Sequence, residues 1–283
     1  MSIRKLPKAE TPSLRAGLGF DLAPSALARF DAGVRAADDQ GDVDNTISIL
    51  GPIGQDFFGE GVTARRIAAA LRAIGEQEVV VYINSPGGDY FEGLAIYNLL
   101  RDHKGKVTIR VLGIAASAAS VIAMAGDVIE VARAGFLMIH NTWVVAAGDR
   151  NDLREYADLI EPFDKVAADV YAVRSGVDPA EVQKMMDRET WIGGQDAVEK
   201  GFADALLATD QIVNDPQAAL EVGVHAALRR IDVALARDGM ARSERRRLIA
   251  EIKSGTPSAA EPTTPSAGVN AELAEALGRI AIR

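Results

Sequence analysis

The sequence predicts an α/β protein built around a largely parallel sheet, and three observations carry that prediction. Short runs such as Val79 to Ile83 are apolar throughout rather than alternating, as strands covered on both faces are. They take turns with segments of helical period such as VTARRIAAALRAI, residues 62–74. Gly- and Pro-rich turns, GPIG and NSPGG, stand between them. Composition agrees, with 283 residues of which 48% are apolar and 25% charged, enough for one large domain with an appendage.

Each element follows in order. Residues 1–44 mix Pro, Gly and charge with little period and read as an extended or partly ordered amino-terminal arm. A core domain, residues 45–207, begins with a strand at ISIL, the turn GPIG, the helix 62–74 and the strand Val79 to Ile83, a β-α-β unit closed by the turn Asn84 to Gly88. A helix from Phe91 to Arg101, a strand from Val107 to Leu112, a small-residue helix from Ser117 to Ala125 and strands Val128 to Val131 and Phe136 to Ile139 come next. A long helix spans Asp149 to Ser175, with a kink expected at Pro162 and Gly176 as its C-cap. Short helices at Pro179 to Met186 and Gln195 to Lys200 complete the core. Residues 208–253 form a helix-prone extension, 254–268 (SGTPSAAEPTTPSAG) a flexible linker and 269–283 a short amphipathic segment. Arg242, Arg245, Arg246 and Arg247 in the extension read as a solvated helix face.

Composition also narrows the chemistry. With no cysteine there is no thiol nucleophile, disulfide or thiolate metal site. A net charge of −9 disfavours nucleic acid and anionic membranes as partners. The longest uncharged run, Val111 to Gly126, is sixteen residues rich in Gly, Ala and Ser, too short and too weakly apolar to span a bilayer. No secretory signal is visible in the first twenty residues, so a cytoplasmic protein is expected. His103, His140 and His225 are too scattered for a zinc helix, and no metal or organic cofactor is expected.

Gly113 to Ala119 falls where a strand ends and a helix begins, placing Ser117 at a helix N-terminus among tiny neighbours. First-turn amides and the positive end of the helix dipole suit the oxyanion that forms when a serine attacks a carbonyl. The Ala118 N–H is one candidate donor, and Gly88, in a Pro-Gly-Gly turn after a buried strand, offers a second. Ser120 competes as nucleophile but lies three residues into the helix, along its face. A serine hydroxyl needs a base, and His140, at the end of the strand Phe136 to Ile139, is the strand-mounted choice over His103 and His225. The histidine needs an acid to orient it. Asp187, Glu189, Asp196 and Asp204 all follow His140; Glu189 is preferred because it lies in the loop between two short helices, with Asp187 as the alternative.

These residues resemble the motifs of the Clp-type serine peptidases (ClpP) of the ClpP/crotonase fold. Tyr82 to Gly88 is similar to the family's oxyanion loop, Gly113 to Ala119 to its nucleophile motif and Met138-Ile139-His140 to its histidine motif. Gly88 lies 29 residues before Ser117 and Glu189 lies 49 after His140, as the family's counterparts do. The family usually carries Asp where this chain has Glu189. The long arm and tail resemble the Clp-like head-maturation proteases of tailed phages and prophages. The resemblance implies a repeated β-β-α spiral with the long helix as a handle, and homo-oligomeric rings, commonly of seven subunits, with Arg188 at a position that often helps ring stacking.

The function so implied is a serine endopeptidase using Ser117, His140 and Glu189, with Gly88 and Ala118 as the oxyanion hole. Its substrates would be capsid or scaffold precursors of a phage, in the host cytoplasm or the prohead. The alternatives are a housekeeping Clp protease fed by an AAA+ unfoldase, a crotonase-like acyl-CoA enzyme, and a non-catalytic assembly protein. A Ser-Lys peptidase is disfavoured, because no lysine occurs between Lys106 and Lys165.

Overall fold

In the computed structural model of the chain, the described residues are 19–20, 22–36, 45–54, 61–208, 212–214 and 242–255, together with Leu228, Ile231, Leu235 and Met240. The chain divides into two compact units, Met1–Leu220 and Glu221–Arg283.

The expected α/β class is observed. The main sheet of the first unit has strands β3 (Thr46–Leu50), β4 (Val79–Ser85), β5 (Val107–Ala116), β6 (Val128–Ala132) and β10 (Ala205–Leu207), each parallel to its neighbours, in the order β10-β6-β5-β4-β3. Strand β5 forks. Its first half, Thr108–Val111, pairs with β6, and its last residues, Ile114–Ala116, pair in parallel with β7 (Phe136–Ile139). Strand β9 (Thr190–Gly193) then lies antiparallel on β7. The expected end of β5 at Leu112 therefore falls short, because β7 supplies a second partner where β6 leaves off.

The apolar strands face two ways. Ile47, Ile49, Val79, Val81, Ile83, Val107, Ile109 and Val111 join one continuous core with the helices α2 (Ala64–Ile74), α3 (Tyr90–Asp102), α4 (Ala118–Ala123), α5 (Arg150–Ser175) and α6 (Pro179–Asp187). On the opposite face Tyr82, Leu112 and Leu207 are buried under Val34, Leu50 and Val80. A seven-residue strand reading VVVYINS thus buries both of its rows. Helix α7 (Gly194–Glu199) precedes β10.

Helix ends follow their local chemistry. Thr63 accepts the Arg66 N–H at 3.2 Å to cap α2. Asp149 and Asp152 form a capping box on α5, and Gly176, at φ 75°, donates to Ala172 O at 2.8 Å to end it. Between those caps α5 runs as one 26-residue helix through Pro162.

The amino-terminal arm is more ordered than its composition suggests. It holds β1 (Gly19–Phe20), paired with β8 (Val144–Val145), the short helix α1 (Pro24–Arg29), and β2 (Val34–Ala36), paired with β11 (Ile212–Asn214). Ala23 and Ala26 of this segment pack on Ile114, Ala116 and Met138, with Phe30 and Trp191 against them. In the second unit, α8 (Arg242–Gly255) carries Arg247, 65% exposed in its side chain and paired with Glu251 at 3.5 Å, in keeping with a solvated face. His225, the linker after residue 255 and the segment 269–283 lie outside the described residues.

Candidate active site

Strand β5 ends at Ala116 and helix α4 begins at Ala118, so Ser117 occupies the bend between them with φ 55° and ψ −127°. Positive φ is costly for a residue with a Cβ and persists only where the surroundings impose it. They do so through the backbone. Ser117 N–H donates to Met138 O at 3.0 Å, and Ser117 O accepts from Ser120 N–H at 2.9 Å.

His140 follows the last residue of β7. Because β5 and β7 are in parallel register with Ala116 opposite Met138, the residues just beyond their ends meet. His140 Nε2 lies 2.7 Å from Ser117 Oγ, hydrogen-bond distance for a neutral imidazole accepting the serine proton. Burial holds the imidazole below its ordinary pKa, and the charge of Glu189 works in the opposite direction. At neutral pH the ring is therefore in the form that accepts a proton.

Glu189 sits between α6 and β9 with φ 50°. Its Oε1 accepts a hydrogen bond from Trp191 Nε1 at 3.3 Å. It acts on His140 through charge. Asp187, the alternative acid, is occupied elsewhere: its Oδ1 accepts from Asn141 Nδ2 at 2.9 Å. Asp204 pairs with buried Arg174 and accepts the Ile129 N–H at 2.8 Å. His103 caps α3 and sits 2.7 Å from Gln77 O at an exposed corner, away from the serine.

The Pro-Gly-Gly turn packs directly on the serine bend. A Cβ on Gly87, whose φ is 88°, would lie 2.7 Å from Ser117 Cβ and 2.6 Å from Ala116 O. Gly87 O accepts from Ile53 N–H at 2.8 Å, and Asp89 N–H donates to Ile53 O at 3.1 Å. In extended chain the groups of alternate residues point to opposite sides, so the Gly88 N–H faces away from Ile53. Gly88 and Ala118 both line the small cleft that holds Ser117 and His140, whose other walls include Tyr90, Val121, Trp143, Ala167 and Tyr171.

The residues that buttress this arrangement escape sequence reasoning. Ser120, weighed as a rival nucleophile, is buried with its hydroxyl 2.6 Å from Ser117 O, 2.8 Å from Met138 O and 2.7 Å from Tyr171 Oη. Asp164 of α5 accepts the Thr142 N–H at 2.6 Å, fastening the loop after His140. Asn84, 1% exposed, accepts from Ile114 N–H at 3.2 Å and donates to Asp31 O at 2.6 Å, linking β5 to the arm. Asn84, expected as the first residue of the turn, instead belongs to β4.

Among the described residues no group of acidic and histidine side chains is arranged to hold a metal ion, and no helix is long and apolar enough to cross a membrane. Residues 43–210 match the Clp protease family. The chain is 30% identical over 198 residues to the ATP-dependent Clp protease proteolytic subunit of Ligilactobacillus salivarius (strain UCC118), an overlap of 66% of this chain and 96% of the relative. It is also 30% identical over 167 residues to the ATP-dependent Clp protease proteolytic subunit 1 of Prochlorococcus marinus subsp. pastoris, covering 56% of this chain and 85% of that one. The Thermobifida fusca proteolytic subunit 2 is 29% identical over 163 residues, 53% of this chain and 79% of its own length. The matched stretch contains the sheet, the serine bend and the histidine strand, and the chain accordingly belongs to the Clp protease family of serine peptidases.

Proposed function

We propose that this chain is a serine endopeptidase in which Ser117 is the nucleophile, His140 the general base and acid, and Glu189 the acid that stabilises the imidazolium. The observation that carries the reading is the 2.7 Å separation of Ser117 Oγ and His140 Nε2. Ser117 Oγ attacks the peptide carbonyl while Nε2 takes its proton; the same proton passes to the leaving amine, and a water activated by His140 then releases the acyl group from Ser117. The N–H groups of Gly88 and Ala118 hold the negative oxygen. The apolar wall of the cleft, with Tyr90, Val121 and Trp143, suits an apolar side chain next to the scissile bond.

A fluorophosphonate probe tests the site. It should label the wild-type full chain at Ser117, with Ser117→Ala unlabelled and His140→Ala labelled far more slowly. A wild-type chain that resists the probe under conditions where it is folded sinks the assignment, as would labelling that survives Ser117→Ala. Labelling that depends on Ser117 would be foreign to a crotonase-like hydratase or a catalytically inert assembly protein.

Two settings divide the reading of substrate. Processing of phage capsid or scaffold precursors is supported by the chain beyond the family match, residues 211–283, with its helical segment and Ser/Thr/Pro-rich spacer. The relatives are ATP-dependent Clp protease proteolytic subunits, which favours instead a cytoplasmic ring fed by an AAA+ unfoldase. Co-expression with a capsid precursor separates them: cleavage of the precursor without added ATPase, lost in Ser117→Ala, supports the first, and degradation of a folded substrate only with an unfoldase and ATP supports the second.

A further inference from the structure

Helix α1, outside the family match at residues 43–210, lies over the far side of the strands that end in the reacting residues, where its Ala23 and Ala26 touch Ile114, Ala116 and Met138. At its last position the Arg29 guanidinium stands 4.4 Å over the centre of the Trp191 ring. That ring is also met edge-on by Phe136, at 6.4 Å between centroids. Its one polar atom, Nε1, donates to Glu189 Oε1. The Glu189 N–H donates to Met186 O at 3.0 Å, which holds its backbone in a turn but not its carboxylate. Glu189 stands at a positive-φ corner between α6 and β9, carries one methylene more than aspartate, and its carboxylate has three side-chain torsions to fix.

We infer that Trp191 is a positioning residue for the Glu189 carboxylate, with Arg29 of the amino-terminal arm holding the indole in place. The inference rests on the proposed role of Glu189. A donor on one carboxylate oxygen fixes the orientation of the group and leaves the other oxygen available toward the imidazole. An indole is well suited to the task, because it donates and never accepts. It can therefore meet the carboxylate only as a donor. The cation over the ring face is a second restraint on the indole. Through these two contacts the arm becomes part of the apparatus that keeps His140 in its working tautomer.

The test is a double-mutant cycle on the full chain, reading the second-order rate of Ser117 labelling by the fluorophosphonate probe. Trp191→Phe keeps the ring for Arg29 and Phe136 but removes the N–H, and should slow labelling about tenfold, the equivalent of one charged hydrogen bond. Arg29→Ala, at an exposed position, should slow it about twofold to threefold. In a Glu189→Gln background neither change should have a further effect, since both act through the carboxylate. Losses that add to that of Glu189→Gln, or a Trp191→Phe protein that labels at the wild-type rate, overturn the inference while leaving the serine assignment intact. A wild-type chain that is not labelled at all overturns both.

Discussion

Ser120 Oγ and Tyr171 Oη lie 2.7 Å apart in the buried space behind the serine bend, joining α4 to α5. The same serine oxygen reaches Ser117 O and Met138 O. One hydroxyl therefore ties the Ser117 backbone to strand β7 and both to α5. Burial pushes the Tyr171 phenol well above its ordinary pKa, so the phenol stays protonated and can donate. Ser120→Ala should cost about 1–3 kcal/mol, since it strands a buried hydroxyl and a shared carbonyl. Urea unfolding of Ser120→Ala, Tyr171→Phe and the pair should show losses that do not add. Equal, additive losses would mean the two hydroxyls are satisfied independently.

The contact of Gly87 with Ser117 sets a second expectation. A methyl group on Gly87 has nowhere to go, since it meets backbone at Ala116 and the serine's own Cβ, and the backbone there has a φ of 88° that disfavours any side chain. Gly87→Ala should move the oxyanion loop off the bend and lower kcat by about a hundredfold or more, the scale of losing one oxyanion donor. Peptide hydrolysis that survives with kcat within a few-fold of wild type would show that the loop does not serve the oxyanion.

The acidity of His140 gives a pH expectation whose sign can be fixed in advance. In the proposed mechanism His140 acts in its neutral form, and burial lowers its pKa from the ordinary 6.5. Activity should therefore persist below pH 6.5, with the acid limb of kcat/KM centred under that value. The Glu189 charge raises the same pKa. Glu189→Gln should move the limb to still lower pH while cutting kcat by about a hundredfold. A limb that stays in place in Glu189→Gln would mean that a carboxylate other than Glu189 faces the imidazole.

Asn84→Ala should detach the arm from the sheet. It removes the acceptor of the Ile114 N–H and the donor to Asp31 O and Val34 O, at a cost of about 2 kcal/mol or more for groups left unpaired in the interior. Limited proteolysis should then cut within residues 22–36 faster than in wild type while the sheet resists. Unchanged cleavage would show that the arm is held by its apolar contacts alone.

Much of this was readable in the sequence for a physical reason. The strands of the main sheet are covered on both sides, so they appear as apolar runs, and Ser117 and His140 sit at the ends of such runs, where a strand stops and chemistry starts. The arm was not readable in the same way. A two-residue strand such as Gly19–Phe20 and a six-residue helix such as Pro24–Arg29 are too short to leave a period, and a helix of that length forms only on a partner surface. The end of β5 was misplaced because Gly113 looks like a terminator, whereas its missing side chain makes room for the Asn84 amide. In the sequence, a loop position and a family spacing favour Glu189 over Asp187. The contact that occupies Asp187, the Asn141 amide, joins residues 46 apart and leaves no local trace.

The fork in β5 has a consequence for how this enzyme can change. Three rungs, Ile114 with Phe136, Ala115 with Leu137 and Ala116 with Met138, extended by the Ser117 N–H on Met138 O, set the 2.7 Å separation of Ser117 Oγ and His140 Nε2. Insertions can accumulate in the connections on either side at small entropic cost. A slip of one rung would carry the imidazole about 3.3 Å along the sheet and turn it to the other side. The ladder works as a gauge block: drift in the surrounding loops leaves its setting untouched, and no adjustment elsewhere replaces it.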